Sequence, residues 1–184
     1  MIAGLVLAPG FGGTRDSPQL VAVETAVAPL PVLRIDLPKT ATPAIASVRA
    51  QAAEFAASLG VGTESLVLGG RSFGGRMCSM AVAQGLPAAG LVLLSYPLHP
   101  PGRPEQLRTA HLPDLTVPVL AVSGTTDPFG SPTELTEHLA AIPAPVTTVF
   151  LPGTHTPTSA TAVADAVRGW ILLQGESGRP TRRP

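Results

Sequence analysis

The sequence predicts a single α/β domain, in which a mainly parallel sheet of about six strands carries helices on both faces. Short apolar runs rich in valine, leucine and isoleucine recur along the chain. They are nearly continuous rather than alternating, as expected of strands that are covered on both faces. Segments with a helical repeat of apolar residues lie between them. Strand and helix therefore alternate, which favours right-handed crossovers and a parallel sheet.

Apolar runs define the predicted strands, and the segments between them define the predicted helices. The strands are expected at residues 2–8, 31–35, 65–69, 89–95, 117–123 and 146–151. The helices are expected at residues 44–59, 73–84, 134–142 and 159–173. We therefore predict one domain over residues 1–174, followed by a disordered tail over residues 175–184, where the sequence is polar and rich in glycine, proline and arginine.

The composition favours a small-molecule partner. The chain has 12 basic and 12 acidic residues, so no net field attracts it to nucleic acid or to an anionic membrane. Cys78 is the only cysteine, which excludes an intramolecular disulfide and a cysteine-rich metal site. The first apolar run lacks a preceding positive charge and stops at Pro9, so we expect a cytoplasmic protein. The oligomeric state stays open.

The stretch SLVLGGRSFGGRM, residues 65–77, places Ser72 between a predicted strand and a predicted helix. Its core GRSFG matches the pattern Gly-x-Ser-x-Gly, in which a sharp turn holds a nucleophilic serine at the tip of a strand. Glycines are needed there because a Cβ would clash where the chain comes close to itself. A glycine-rich turn with an incidental serine is the alternative, and the strand-turn-helix context favours the nucleophile.

A serine nucleophile needs a general base, and the base needs an acid that orients it. His155 lies just past the last predicted strand, and Asp127 directly follows the fifth. The carboxyl ends of parallel strands share one edge of the sheet, where ligands bind. The chain order Ser72, Asp127, His155 is the order found in α/β-hydrolases. Asp36, after the second strand, is the alternative acid.

Two backbone N–H groups are the candidates for an oxyanion hole, which stabilises the charge that develops on the carbonyl oxygen. One belongs to Phe73, which follows the serine at the start of a helix. The other belongs to Phe11, in the glycine-rich loop APGFGGT after the first strand. We expect both groups to face the serine.

These segments together resemble the α/β-hydrolase superfamily. The resemblance spans roughly residues 2–172 and rests on GGRSFGGR (69–76), LLSYPLHPPGRPEQLR (93–108), GTTDPFG (124–130), the first glycine loop and His155. Within the superfamily the chain is similar to the small dienelactone-hydrolase-like family related to a testis-expressed protein and to a subunit of the nonspecific-lethal chromatin complex. That resemblance implies a serine nucleophile and a minimal sheet. Pro9-Gly10 stands where many hydrolases carry His-Gly.

The segment between the fourth and fifth strands is expected to border the site. Residues 96–116 contain five prolines, which predict a stiff loop with at most one short helix around residues 105–110 and no large lid. We expect a shallow cleft suited to short acyl groups. The candidate lining residues are Phe11, Tyr96, His99 and Phe129.

Arg71 and Arg76 flank the serine and have two possible roles. They either anchor neighbouring loops through salt bridges or contact an anionic group of the substrate. Arg76 is included among the candidate substrate-binding residues.

The sequence thus favours a cofactor-independent serine hydrolase that acts on a small-molecule ester or related acyl bond, with no metal. Two alternatives stay open. The first is a non-catalytic interaction module with the same fold, since the chromatin-complex relative looks like a scaffold. The second is an acyltransferase that uses the same triad.

Overall fold

A computed structural model of the chain describes residues 1–177. The strands in this range are β1 (Gly4–Ala8), β2 (Val32–Arg34), β3 (Leu66–Arg71), β4 (Gly90–Leu94), β5 (Val119–Gly124) and β6 (Val146–Leu151). The helices in this range are α1 (Pro18–Val27), α2 (Ala41–Ser58), α3 (Phe73–Ala83), α4 (Pro132–Leu139) and α5 (Ala160–Ser177). Single 3-10 turns lie at Thr63–Ser65 and Leu112–Asp114. None of the helices in residues 1–177 combines the length and the apolar character that crossing a membrane requires.

The six strands form one sheet in the order β2-β1-β3-β4-β5-β6, and every neighbouring pair is parallel. The predicted fold class is therefore confirmed. The chain leaves β1 in one direction to reach β2 and later returns to place β3 on the other side of β1. This reversal opens a crevice beyond the carboxyl ends of β1 and β3, which is where open α/β sheets bind ligands.

Helices cover both faces of the sheet and bury its central strands. On one face, α1 and α5 pack through residues such as Leu20, Val163 and Trp170. On the other face, α2, α3 and α4 pack through residues that include Val48 and Met77. All residues of β1, β4 and β5 are buried. Burial on both faces explains the continuous apolar runs and fixes the strand ends that carry the site.

Two elements differ from the sequence prediction. Helix α1 was not predicted, because its ten residues are few for a periodic pattern; the Ser17-Pro18 pair at its start was the available signal. Helix α5 continues to Ser177 and so includes the first three residues of the predicted tail. The rest of that tail, residues 178–184, lies outside the described residues.

The segment after β4 packs onto the domain and forms no large lid. Leu98, Leu112 and Leu115 are buried in the core. Residues 105–110 form no helix, which is consistent with the prediction of a stiff loop with at most one short helix there. The N–H of Arg108 donates to the carbonyl oxygen of Leu98 at 2.8 Å, a partner on the distant arm of the loop rather than one turn earlier. A 3-10 turn at Leu112–Asp114 is the regular element that this segment forms instead.

Gly74 allows the first turn of α3 to lie against the end of β1. A Cβ at this position would lie 2.5 Å from the carbonyl oxygen of Pro9 and would also clash with the carbonyl oxygen of Ala8. Both neighbours are backbone atoms, which cannot move aside as the end of a flexible side chain can. The position of α3, and with it the turn at Ser72, therefore depends on the missing side chain.

We expect Gly74→Ala to lower the free energy of unfolding by about 1–3 kcal/mol, because it overpacks a backbone contact. Gly169→Ala in α5 is the matched control, since a Cβ there meets no atom within 4 Å. That control should be neutral or stabilising by up to about 1 kcal/mol, because alanine favours a helix. Urea unfolding of the three proteins measures both values. Equal stability of the two variants would contradict this account of α3.

Candidate active site

Ser72 lies at the tip of β3 in a conformation that few residues other than glycine adopt. Its backbone angles are φ 49° and ψ −113°, which is a strained region for a side chain with a Cβ. The turn is held on both sides: the N–H of Ser72 donates to the carbonyl oxygen of Leu94 at 2.7 Å, and its own carbonyl oxygen accepts from the N–H of Arg76 at 3.0 Å. The observed strain at this serine matches a nucleophile turn.

His155 joins Ser72 to Asp127. The Nε2 atom of His155 lies 2.8 Å from the Oγ of Ser72. Its Nδ1 atom lies 2.9 Å from Oδ2 and 3.0 Å from Oδ1 of Asp127. A carboxylate only accepts hydrogen bonds, so Nδ1 carries the proton in this arrangement and Nε2 is left to accept the hydroxyl proton of the serine. The contact is suited to proton transfer.

The carboxylate of Asp127 is buried and fully engaged. The residue is 4% exposed. Besides His155, its Oδ1 accepts from the N–H of Phe129 at 2.9 Å, and its Oδ2 accepts from the hydroxyl of Ser123 at 3.2 Å. The ring of Phe129 also stacks on the imidazole of His155, with centroids 4.0 Å apart. These contacts fix both the acid and the plane of the histidine ring.

Arg71 ties the histidine loop to the end of β3. Its guanidinium donates to Oγ1 of Thr156 at 2.7 Å and to the carbonyl oxygen of His155 at 3.3 Å. The N–H of Thr126, in the loop that carries the acid, donates to the carbonyl oxygen of Gly153 at 3.0 Å. The loops that follow β3, β5 and β6 are therefore bonded to one another. Of the two roles considered for Arg71, the structure thus shows the anchoring of a loop. The anchoring contacts are hydrogen bonds to neutral oxygens rather than the expected salt bridge.

The two candidate oxyanion donors lie at the same cleft. The rings of Phe11 and Phe73 meet edge to face, with centroids 5.8 Å apart. Phe73 is the first residue of α3. In residues 1–177, no group accepts a hydrogen bond from the backbone N–H of Phe11 or Phe73. Both N–H groups are therefore without a hydrogen-bond partner in the part of the chain that the structure describes.

The cleft at Ser72 has a volume of about 480 Å³. Its lining consists of Phe11, Arg71, Ser72, Phe73, Arg76, Pro97, Arg108, Phe129 and His155. The structure thus brings Phe11, Phe129 and Arg76 to the serine, as predicted. Sequence reasoning missed Pro97 and Arg108 as lining residues. Both lie in the stretch that carries the resemblance, but no local pattern showed which of its side chains would turn towards the serine.

The expectation that Tyr96 and His99 border the cleft is wrong. Tyr96 is 1% exposed, and its hydroxyl donates to the carbonyl oxygen of Arg108 at 2.6 Å. Burial raises the pKa of Tyr96 to about 12. His99 is buried beside Pro100, whose carbonyl oxygen lies 2.8 Å from its Nδ1, and its Nε2 lies 3.6 Å from the carboxylate of Glu134. Both side chains are turned inwards because the loop packs against the core.

The alternative acid does not reach the histidine. The carboxylate of Asp36 accepts hydrogen bonds from the backbone N–H and from the Nε of Arg15, each at 2.6 Å. These two hydrogen bonds lower the pKa of Asp36. The acid that the structure brings to His155 is Asp127.

Two further features of the described residues bear on other chemistries. Within residues 1–177, no group of three or more histidine, cysteine, aspartate or glutamate side chains is placed to hold a metal ion. The thiol of Cys78 is buried and donates to the carbonyl oxygen of Gly69 at 3.3 Å, and burial raises its pKa to about 12. That thiol is a packing group.

A larger cavity, of about 970 Å³, lies between the start of β1, the end of α1 and α5. Among residues 1–177, its lining includes no serine, histidine or carboxylate side chain. The smaller cleft is the candidate active site because its lining includes Ser72 and His155, whose side chains are hydrogen-bonded to each other, together with Phe11 and Phe73.

Solved structures share this fold. Est1E from Butyrivibrio proteoclasticus superposes with a TM-score of 0.77 at 20% identity, over 95% of this chain and 89% of that chain. The esterase domain of a Rhodothermus marinus protein gives a TM-score of 0.72 at 15% identity, over 93% and 87% of the two chains. The RedJ thioesterase of the prodiginine pathway in Streptomyces coelicolor gives 0.64 at 18% identity, over 89% and 88%. Identities this low show the fold alone.

Comparison of the sequence with curated proteins gives no match. The narrower relationship to the dienelactone-hydrolase-like group with testis-expressed and chromatin-complex relatives stays a prediction. The model of one protein family, described as an alpha/beta hydrolase domain, matches residues 2–160 of the 184 residues. The chain therefore belongs to the alpha/beta hydrolase domain family.

Proposed function

We propose that the protein is a serine hydrolase that cleaves a short-chain ester or a related acyl bond through an acyl-enzyme. One observation carries the proposal: the Oγ of Ser72, the imidazole of His155 and the carboxylate of Asp127 form a continuous chain of contacts of 2.8 to 3.0 Å. Membership of the alpha/beta hydrolase domain family supports the reaction class.

In the first step, Ser72 attacks the acyl carbon of the substrate. As the bond from Oγ to that carbon forms, the hydroxyl proton moves to Nε2 of His155, and the electron pair of the carbonyl bond moves to its oxygen. The carboxylate of Asp127 holds the imidazole through Nδ1 and stabilises the imidazolium that results. Its burial strengthens that stabilisation, because little water screens the pair.

The negative oxygen is then bound by the N–H groups of Phe11 and Phe73. Each preorganised donor of this kind is worth about 3–4 kcal/mol of transition-state stabilisation. The N–H of Phe73 also lies at the positive end of the α3 dipole. Neither N–H group has a hydrogen-bond partner in the described residues, so oxyanion binding would break no existing hydrogen bond there.

The intermediate collapses when the bond between the acyl carbon and the leaving oxygen breaks. His155 gives its proton to that oxygen, and the alcohol departs. Water next attacks the acyl-enzyme, passes a proton to His155 and releases the acid as Ser72 regains its hydrogen. The sum is one ester and one water converted to one acid and one alcohol.

The neighbours suggest the range of acyl bonds. Est1E has been solved with ferulic acid bound, and RedJ is a thioesterase. An oxygen ester and a thioester both place a carbonyl carbon next to a leaving group, so both suit the proposed steps.

The two alternative functions differ from hydrolysis in what they require of the site. A non-catalytic interaction module does not need the contacts that join Ser72, His155 and Asp127, so the presence of these contacts favours an enzyme. Acyl transfer differs from hydrolysis only in the acceptor, so measuring the free acid released distinguishes the two.

The triad assignment is tested by variants assayed with p-nitrophenyl acetate. We expect Ser72→Ala to lower kcat/KM by about 10³-fold or more, and Asp127→Asn by about 10²- to 10⁴-fold, because the histidine loses its orienting acid. Asp36→Asn is the matched control, and it should stay within about threefold, since it removes only an exposed ion pair. Turnover by Ser72→Ala equal to that of the wild type would rule out this assignment.

The acyl chain length is tested with p-nitrophenyl acetate, butyrate, octanoate and palmitate. Three guanidinium groups contribute to the lining of the cleft, and Phe11 at its edge is 68% exposed. A long acyl chain would leave methylene groups in water and forfeit about 0.8 kcal/mol for each one. We expect kcat/KM to peak at acetate or butyrate. A steady rise up to palmitate would show that a deep apolar pocket exists.

A further inference from the structure

Two arginines line the cleft beside Ser72 and pair with no carboxylate of the part of the chain that the structure describes. Arg76 lies on the first turn of α3, and Arg108 lies in the loop after β4. In residues 1–177, neither guanidinium forms an ion pair with a carboxylate. Arg71, the third arginine of the lining, differs because it is bonded to the histidine loop. No carboxylate of the described residues therefore neutralises either of these two positive charges.

Apart from Arg108, which is itself a cation, the titratable groups that interact with Arg76 do not compensate its charge. Tyr96 interacts with Arg76, but burial raises the pKa of Tyr96 to about 12, so its hydroxyl is neutral at pH 7. Burial, together with the charge of Arg76, lowers the pKa of His111 to about 4, although the exposed carboxylate of Asp114 opposes that shift. The Nε2 of His111 lies 2.8 Å from the hydroxyl of Ser79. The Nε of Arg76 is itself buried with no acceptor in the described residues. Among residues 1–177, this cation is thus held without a negative partner.

Hydrogen bonds on both sides hold the backbone of Arg108 in place. Its N–H donates to the carbonyl oxygen of Leu98 at 2.8 Å, and its carbonyl oxygen accepts from the hydroxyl of Tyr96 at 2.6 Å. Burial and then the neighbouring charge of Arg76 lower the pKa of Arg108. Two like charges that line the same cleft repel each other, and an anion between them would relieve that repulsion.

We propose that Arg76 and Arg108 form an oxyanion-binding subsite, and that the natural substrate carries a carboxylate or phosphate group that binds there while its acyl bond reacts at Ser72. This proposal rests on the proposed hydrolase function for the reacting bond. Guanidinium groups match both kinds of oxyanion through paired N–H donors. One cleft of about 480 Å³ contains both the serine and the two arginines, so a single small molecule reaches both.

The test compares substrates that differ only in charge. The p-nitrophenyl monoesters of glutaric and adipic acid carry a free carboxylate, and their methyl esters are the neutral counterparts. The measured quantity is the ratio of kcat/KM for the anionic ester to that for the neutral ester, after subtraction of spontaneous hydrolysis. We expect the wild type to favour the anionic ester by about tenfold or more, as for a hydrogen bond between charged groups.

Variants assign that preference to the arginines. Arg76→Gln and Arg108→Gln should each reduce the ratio towards one. Arg103→Gln is the matched control, since Arg103 is an exposed arginine of the same loop outside the cleft, and it should leave the ratio unchanged. A wild-type ratio of one or less, or a ratio that both cleft variants retain, would overturn the subsite.

Binding to Ser72→Ala separates the subsite from the reaction. Calorimetry with monomethyl glutarate and with inorganic phosphate should detect binding of at least one of them, and the tighter of the two identifies the oxyanion. Adding Arg108→Gln to Ser72→Ala should abolish this binding. If Ser72→Ala binds one of these anions but the wild type hydrolyses no ester, the result would support the subsite and contradict the hydrolase function. Absence of binding by either anion would contradict the subsite even if esters are cleaved.

Discussion

The site depends on one constraint, which is that the four neighbouring strands β3, β4, β5 and β6 are all parallel. Ser72 and His155 are 83 residues apart in sequence, yet their side chains meet at 2.8 Å. They meet because each follows a strand of the same parallel sheet, and parallel strands end at one edge. Asp127 follows β5, which lies between β4 and β6 in the sheet, and its carboxylate contacts the imidazole of His155. Burial of the central strands on both faces prevents a change of register that would separate the three side chains.

The strained turn at Ser72 is maintained by its surroundings. A positive φ at a residue with a Cβ costs of order 1–3 kcal/mol, and it persists only where neighbouring contacts over-determine it. Here the contacts are the hydrogen bond to Leu94 and the close approach of α3 to β1 at Gly74. The same approach places the start of α3 beside the residues that lead from β1 into the first glycine loop. The fold thus holds the proposed nucleophile and the first residue of α3 in place.

The sequence was sufficient to predict the fold class and the contact of Ser72, His155 and Asp127 with one another, and the reason is physical. Buried parallel strands leave continuous apolar runs, and residues directly after such strands, as Ser72 and Asp127 are, must lie at one edge. The loop after β4 could not be predicted in this way. Its path depends on contacts between distant residues, such as Arg108 with Leu98, which turn Tyr96 inwards and place Arg108 at the cleft. No local pattern records such contacts.

The central claim, that Ser72 is an activated nucleophile, is tested most directly by reaction with a fluorophosphonate. The folded, monodisperse protein is treated, digested and examined by mass spectrometry. The account predicts one adduct, on the peptide that contains Ser72, and no adduct in Ser72→Ala. A folded wild type that remains unlabelled, or a label on another residue that persists in Ser72→Ala, would contradict it.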